Sequence, residues 1–462
     1  MWSSRAILIC LLGLLASRRI GAGTIAAVPL PNPQVPGFVF PESEATVVGW
    51  VTAVAGGGPG AAEASSDMTL HGWGLWTALT LETSQVDNAQ RLRVFETWFT
   101  PQELSSAPLP VSERRRSALL HFNQFQHGSA VQERRMETGS DTVFGYVKYD
   151  PTASAHIRSQ QLLQLSTLNQ LIAGGAQQIP VFPPTALSLK SAFEVLTSQT
   201  LVDGRYYRLN AWTGPPSTPR AWGPGAWPGV VWIDVMGAGG GSGQIDMIAS
   251  TDGSSRTDET TYPVSSMINH RLSQREASEF NEEQPGADAA PGDYAVLVAM
   301  HVAGREIARW TWQTFWWTPT PADPQVPSSA AIAALRPAQL QGAPGNYAMA
   351  MAYDMVSPGQ PNAGGANMGD AIYAYNPYLE ARFGPQSLPD SQMGYDPSGQ
   401  PAPNNVGVES NCMSCHARAN YNPGGVSTAP RYTGARYTDV NDPQFTGTLQ
   451  VDMLWSLPEI AR

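Results

Sequence analysis

Lysine and cysteine are the residue types that this 462-residue chain has least of. The lysines are Lys148 and Lys190, and the cysteines are Cys10, Cys412 and Cys415. Three cysteines are too few for a disulfide framework, so the fold must depend on its core. The formal net charge of -11 gives the chain no electrostatic attraction to nucleic acid. We therefore expect no nucleic-acid partner. The sequence does not identify a redox partner protein.

Long apolar runs are missing after the first residues of the chain. At the start, Arg5 precedes an apolar run over residues 6–16, and small residues follow. This layout is typical of a secretory signal peptide, which we place at residues 1–23. Arg18 and Arg19 are unusual there and leave an uncleaved anchor as the alternative. We expect cleavage, a periplasmic or secreted protein, and no membrane span in the mature chain.

The apolar residues are numerous enough for a large core, with 42% hydrophobic residues and 14 tryptophans. Helical spacing is clearest over residues 152–173, and we also expect helices around 112–127 and 265–280. Strands are predicted where β-branched and aromatic residues run between turn residues. The predicted strands cover residues 45–54, 93–99, 142–149, 205–212, 229–236, 294–302 and 306–317.

These patterns predict an α+β fold with a large β-rich body over residues 27–320. Residues rich in proline and glycine follow, and the stretch 384–405 leads directly to the cysteine pair. We therefore predict that residues 321–462 form a loop-rich, partly helical C-terminal segment packed on the body.

The sequence CMSCH (412–416) contains Cys412, Cys415 and His416 in the spacing used for covalent attachment of c-type haem. The two thiols add across the vinyl groups at one porphyrin edge, and the adjacent histidine then ligates the iron. Export agrees with this, because covalent haem attachment takes place outside the bacterial cytoplasm. We predict one covalent haem c with His416 as its proximal iron ligand.

Other chemistry is compatible with the cysteine pair. Cys412 and Cys415 could form a local disulfide or a thioredoxin-like redox pair, although neither needs a histidine at position 416. A zinc site would need a fourth ligand, and the sequence contains no second cysteine pair.

Four stretches carry a resemblance to a known family, and only the CMSCH motif among them is highly specific. Together they resemble a family of exported bacterial cytochrome c proteins that carry a single haem-attachment motif. The resemblance covers most of the mature chain and implies haem binding and electron transfer. It implies no particular substrate. The stretches are HGWGLWTAL (71–79), VAMHVAGREIARWTWQTFWW (298–317), NPYLEARF (376–383) and SNCMSCHARA (410–419).

The chain departs from a small cytochrome c, because only 46 residues follow His416 and cannot enclose a haem. The haem must therefore lean on the body. Met453 is the tentative distal ligand, with core packing as its alternative. Arg418 is a candidate partner for a haem propionate, with plain solvent exposure as its alternative. His71 and His301 lie in apolar sequence. Each could face the iron, and the alternative is a buried histidine with a structural role.

Three functions follow from these expectations. The first is an electron carrier with a closed, six-coordinate iron. The second is a c-haem oxidoreductase with an open iron position that acts on peroxide or a small molecule. The third is a sensor in which the body binds a ligand or partner. Catalytic residues cannot be named from the sequence, so the enzyme assignment stays open.

Overall fold

A computed structural model describes residues 24–58, 60–106, 114–122, 143–215, 224–357, 370–380, 411–424, 438 and 441–462. The fold is α+β with a β-rich body, as the sequence predicts. The predicted signal peptide and the proline-rich stretch at 384–405 lie outside the described residues. Among the described residues, no helix is long and apolar enough to cross a membrane.

The helices are short except for the second. They are α1 (Glu44–Gly56), α2 (Ala61–Thr80), α3 (Pro101–Ser105), α4 (Pro151–Ser159), α5 (Leu165–Ala173), α6 (Gln274–Glu283), α7 (Ala330–Ala334), α8 (Pro377–Glu380), α9 (Met413–His416) and α10 (Ser456–Ile460).

The strands form one main sheet and several small ones. The main sheet contains β3 (Leu120–Phe122), β4 (Val143–Tyr149), β5 (Leu187–Leu196), β10 (Asn269–Arg271), β11 (Tyr294–Gly304), β12 (Thr311–Trp317) and β13 (Tyr347–Ala352). The small sheets contain β1 (Glu82–Asp87), β2 (Gln90–Arg93), β6 (Leu201–Val202), β7 (Tyr206–Ala211), β8 (Gly229–Asp234), β9 (Thr261–Pro263), β14 (Val356–Ser357), β15 (Asp370–Ala371), β16 (Asn420–Tyr421) and β17 (Leu449–Gln450).

The main sheet is antiparallel in the order β13-β12-β11-β5-β4-β3, and β10 pairs with the start of β11. β11 and β12 are buried along almost their whole length, so both faces of the sheet are covered. The predicted boundary near residue 320 falls between β12 and β13, which pair with each other in this sheet.

One face of the main sheet packs against α2, and we call it the helix face. Trp76 of α2 stacks on Phe315 of β12 with ring centroids 4.3 Å apart. Gly72 allows the close approach, because a Cβ there would lie 2.7 Å from the sulfur of Met349 on β13. Bulky side chains on the strands and tryptophans on the helix therefore make this half of the core.

The opposite face, which we call the C-terminal face, carries His301, Trp312 and Thr314 on β11 and β12. Their neighbours on this face are mainly small, including Ala299, Ala303, Ala192, Ala350 and Ala352. The segments that contain α8, α9 and β17 cover this face, as the side-chain contacts described below show.

Two predicted strands are helical. Residues 45–54 lie in α1, where Ser43 caps the N-terminus by accepting the Thr46 N–H and Gly57 ends the helix with a φ of 59°. These caps outweigh the β-branched valines. Residues 94–97 form a 3-10 helix, in which the Glu96 carboxylate accepts the Arg93 N–H.

The predicted helix over 152–173 is divided into α4 and α5 by a break at Gln161, whose φ is 54°. Around 112–127 the described residues are 114–122, of which 120–122 form β3 and none is helical, so the helix predicted there is wrong for them. The helix predicted over 265–280 begins only at Gln274. The strands predicted at 142–149, 205–212, 229–236 and 294–302 are confirmed, and the one at 306–317 begins at Thr311.

Candidate functional site

The CMSCH motif forms a single helical turn. The His416 N–H donates to the Cys412 carbonyl at 2.9 Å, and the Ala417 N–H donates to the Met413 carbonyl at the same distance. Helical spacing therefore places positions 412 and 416 on one side of this turn. The side chain of Met413 is fully buried and anchors the turn to the body.

The residue before the motif holds the turn in place. Asn411 is buried, and its Nδ2 donates to the carbonyls of Met355 at 2.9 Å and Ile372 at 2.8 Å. An isolated parallel β-bridge between Asn411 and Ala374 adds to this attachment. The motif is thus fixed against the strands that follow β13.

His416 makes a specific hydrogen bond behind its ring. Its Nδ1–H donates to the backbone carbonyl of Met453 at 2.6 Å. A carbonyl can only accept, so this contact assigns the hydrogen of the neutral ring to Nδ1 and the lone pair to Nε2. The ring also packs on Trp312, with centroids 4.4 Å apart. The histidine is therefore oriented as metal-bound histidines usually are.

The position of Met453 is set by a strained turn. Asp452 and Met453 have φ values of 46° and 67°, a region that non-glycine residues rarely adopt. The Asp452 carboxylate accepts from Arg305 Nε and the Phe182 N–H, both at 3.0 Å, and from Trp310 Nε1 at 3.3 Å. These bonds hold the turn, and with it the carbonyl that orients His416.

This arrangement bears on the two predicted iron ligands. The Met453 backbone lies behind His416, on the Nδ1 side of the ring, whereas an iron would bind at Nε2. A methionine side chain that starts there is too short to pass around a porphyrin to its opposite face. His416 as proximal ligand and Met453 as distal ligand therefore exclude each other. We retain His416, because the motif itself specifies it.

His301 meets the motif from the C-terminal face of the sheet. Its Nδ1 lies 3.9 Å from the Cys412 sulfur, and its Nε2–H donates to Glu380 Oε1 at 2.6 Å. Both side chains of this ion pair are only slightly exposed. The sequence identified His301 as a candidate, but Glu380 was missed, because nothing in its local sequence marks it.

Glu380 is held by the residues at the start of α8. Its second carboxylate oxygen accepts the N–H of Asn376. Asn376 is itself fully buried, and its Nδ2 donates to Thr314 Oγ1 at 2.7 Å and to the Phe315 carbonyl at 2.9 Å. The carboxylate is therefore placed by the sheet rather than by a flexible loop.

Lys190 completes the charged surroundings of Cys412. It lies directly opposite His301 in the pairing of β5 with β11. Burial lowers the pKa of Lys190, whereas the nearby Glu459, Glu380 and Cys412 act in the opposite direction. One of the two lysines of the chain thus lies beside the motif.

Arg418 follows the motif directly and is half-buried. Its carbonyl accepts from Asn420 Nδ2 at 2.8 Å, at the start of β16. The contacts that the structure gives to Arg418 leave its role toward a propionate a prediction.

His71 lies on the other side of the sheet, in a fully buried network. Tyr353 donates its hydroxyl hydrogen to His71 Nδ1 at 2.6 Å, and His71 Nε2–H donates to Glu306 Oε1 at 2.9 Å. Burial raises the pKa of Tyr353 well above its usual value. His71 is therefore a buried structural histidine rather than one that faces the motif.

Among the described residues, no group of three or more His, Cys, Asp or Glu side chains could hold a metal ion by itself. The chain matched no family model, no curated protein and no solved structure.

Proposed function

We propose that the protein is an exported c-type cytochrome that binds one haem through Cys412, Cys415 and His416 and transfers electrons. The observation that carries this proposal is the hydrogen bond from His416 Nδ1 to the Met453 carbonyl. That bond selects the tautomer in which Nε2 has the lone pair needed for iron. A histidine that served only as a core residue would not need this orientation next to two cysteines.

The surroundings of the motif suit a porphyrin. Trp312, Met413 and Leu454 are buried next to it and offer an apolar wall. On the C-terminal face, Ala299 and Ala303 flank His301 along β11, and Thr314 and Lys190 lie opposite it on the neighbouring strands. The body therefore supports the view that it, and not the short tail, would enclose the cofactor.

When bound, the haem would supply one-electron chemistry between ferric and ferrous iron. The residues of the chain would hold and tune it. His416 is oriented by the carbonyl behind it, Trp312 packs on the imidazole, and Arg418 would be the candidate partner of a propionate. Burial by the body would limit water access and so influence the reduction potential.

A second function is favoured by a cavity of about 610 Å³ beside α10. Its wall includes Arg114, Arg116, Tyr146 and, from α10, Ser456 and Glu459. This volume fits a small organic ligand. Because α10 begins shortly after Met453, a ligand there would touch the helix next to the carbonyl that orients His416. This supports the alternative of an oxidoreductase or sensor with an open iron position.

The test is expression of the full chain with a haem c maturation system, followed by a denaturing gel stained for haem and by visible spectra. We expect covalent haem in the wild type, a shifted reduced spectrum when Cys412→Ser or Cys415→Ser leaves a single thioether, and no staining in the double variant. Cys10→Ser is the matched control and should retain covalent haem. Absence of covalent haem in the wild type would refute the proposal.

Carbon monoxide separates the two functions. A low-spin ferrous spectrum that does not change with carbon monoxide supports the electron carrier. Rapid binding supports the open iron of the alternative.

A further inference from the structure

The place of Met453 behind His416 leaves the second axial ligand of the proposed haem to be found. A closed iron requires a sulfur or imidazole on the opposite face. Among the described residues, those that contact the motif from the body are the candidates for this ligand.

His301 meets this requirement. Its Nδ1 lies 3.9 Å from the sulfur of Cys412, on the C-terminal face that the motif covers. Three other described histidines are engaged elsewhere, and His121 lies on β3 at the edge of the main sheet, three strands from His301 on β11. Both ring nitrogens of His71 are hydrogen-bonded in the buried network, His156 Nε2 donates to the Pro180 carbonyl at 2.9 Å, and His270 lies 3.4 Å from Glu276.

The tautomer of His301 is also suitable. Glu380 accepts from Nε2, so the lone pair of the neutral ring is at Nδ1, the nitrogen that faces Cys412. Metal-bound histidines commonly donate their other N–H to a carboxylate in this way. As a thiol, Cys412 can donate its hydrogen to Nδ1. Once the sulfur has become a thioether it has no hydrogen to donate, so the lone pair of His301 becomes available to the iron.

The supporting residues fix this geometry. Glu380 is held by Asn376, which is bonded to Thr314 and Phe315 of β12. The ring of His301 therefore has little freedom to turn away. Ala299 and Ala303, its neighbours along this face of β11, are small and add no bulk beside the ring.

We propose that His301, oriented by Glu380, is the second axial ligand of the haem, so that the iron has bis-histidine coordination. This inference rests on the proposed function, because it presupposes a haem attached at Cys412. It deepens that function by favouring the closed iron of an electron carrier over the open iron of an enzyme or sensor.

The test compares the full-length wild type with His301→Ala, with His156→Ala as the matched control. Haem-stained gels report attachment, and electron paramagnetic resonance with near-infrared spectra of the ferric protein reports the ligands. We expect a low-spin bis-nitrogen signature in the wild type and in His156→Ala. His301→Ala should keep covalent haem, become high-spin, bind carbon monoxide, and return to low spin when imidazole is added.

A methionine-sulfur signature or a high-spin iron in the wild type would overturn the inference, as would a low-spin spectrum that His301→Ala leaves unchanged. These outcomes leave the proposed function intact as long as haem is covalently bound, whereas absence of covalent haem overturns both. If His301→Ala does not fold, Glu380→Gln provides a second measurement. It keeps the shape of the side chain but should shift the resonance g-values and raise the midpoint potential, because the ligand becomes a weaker donor. An unchanged spectrum and potential in Glu380→Gln would also count against the inference.

Discussion

Removal of the Glu306 carboxylate should destabilise the fold strongly. The side chain is buried, and it accepts hydrogen bonds from the Glu42 N–H at 2.8 Å, His71 Nε2 at 2.9 Å and Thr311 Oγ1 at 2.9 Å. In Glu306→Ala, the Thr311 hydroxyl can turn to the Gly304 carbonyl, which is already 3.4 Å away. The Glu42 N–H and the His71 ring lose their partner.

Each orphaned buried donor costs about 1–3 kcal/mol, and Glu306→Ala orphans two, the Glu42 N–H and the His71 Nε2–H. We therefore expect Glu306→Ala to lower the free energy of unfolding by about 4 kcal/mol. The matched control is Glu279→Ala, which removes a half-exposed carboxylate paired with Arg275 one helical turn away. That change should cost less than about 0.5 kcal/mol.

The assay is urea denaturation followed by tryptophan fluorescence, with equal haem content in all variants. A double-mutant cycle with His71→Ala adds a sharper criterion. The double variant should be less destabilised than the sum of the single variants, because it no longer contains the orphaned imidazole. A cost for Glu306→Ala close to that of the control, or strict additivity in the cycle, would refute this account of the network.

Three further changes have expected outcomes. Asp452→Asn should lower the free energy of unfolding by about 2 kcal/mol and broaden the ferric spectrum, because it weakens the bond from Arg305 and frees the carbonyl behind His416. The comparison, by urea denaturation and spectra, is Arg205→Ala, which removes the exposed partner of Asp234 in another ion pair and should leave the ferric spectrum unchanged. Burial and Arg116 lower the pKa of His270 to about 4 from the usual 6.5. The unfolded chain therefore takes up a proton at His270 that the folded chain does not, and stability should fall by up to about 3 kcal/mol as the pH is lowered from 6.5 to 4. His270→Gln should remove this pH dependence of thermal melting. Gly74→Ala would place a Cβ against the Phe38 ring and should lower the free energy of unfolding by about 1–3 kcal/mol, whereas Gly49→Ala, with open space in the middle of α1, should raise it slightly. A lower melting temperature for Gly49→Ala than for Gly74→Ala would contradict this packing.

The strands of the sheet were predictable where burial leaves a continuous apolar run. β8 and β11 are buried along nearly their whole length, and the sequence shows them as largely apolar runs rich in valine. α1 was mispredicted because its valines favour a strand locally, and the caps at Ser43 and Gly57 decide the outcome. The short segment at 94–97 was mispredicted for a similar reason, since Glu96 closes the turn through a local hydrogen bond.

The site was predictable only where its signal is local. CMSCH is contained in five neighbouring residues, so its chemistry can be recognised without a fold. The partners of the histidines at the site are distant in sequence, at a separation of 79 positions for His301 and Glu380 and of 37 for His416 and Met453. A backbone carbonyl also has no sequence signature. These contacts depend on how the sheet brings the C-terminal segment across its face, which periodicity does not reveal.

The most direct test of the central claim is the intact mass of the purified full-length protein after denaturation, followed by peptide mapping. The account predicts the mass of the processed chain plus one haem, retained under denaturing conditions, with the haem on the peptide that contains Cys412 and Cys415. A mass without haem after expression with the maturation system, or one that lacks two hydrogens because the cysteines have formed a disulfide, would contradict it.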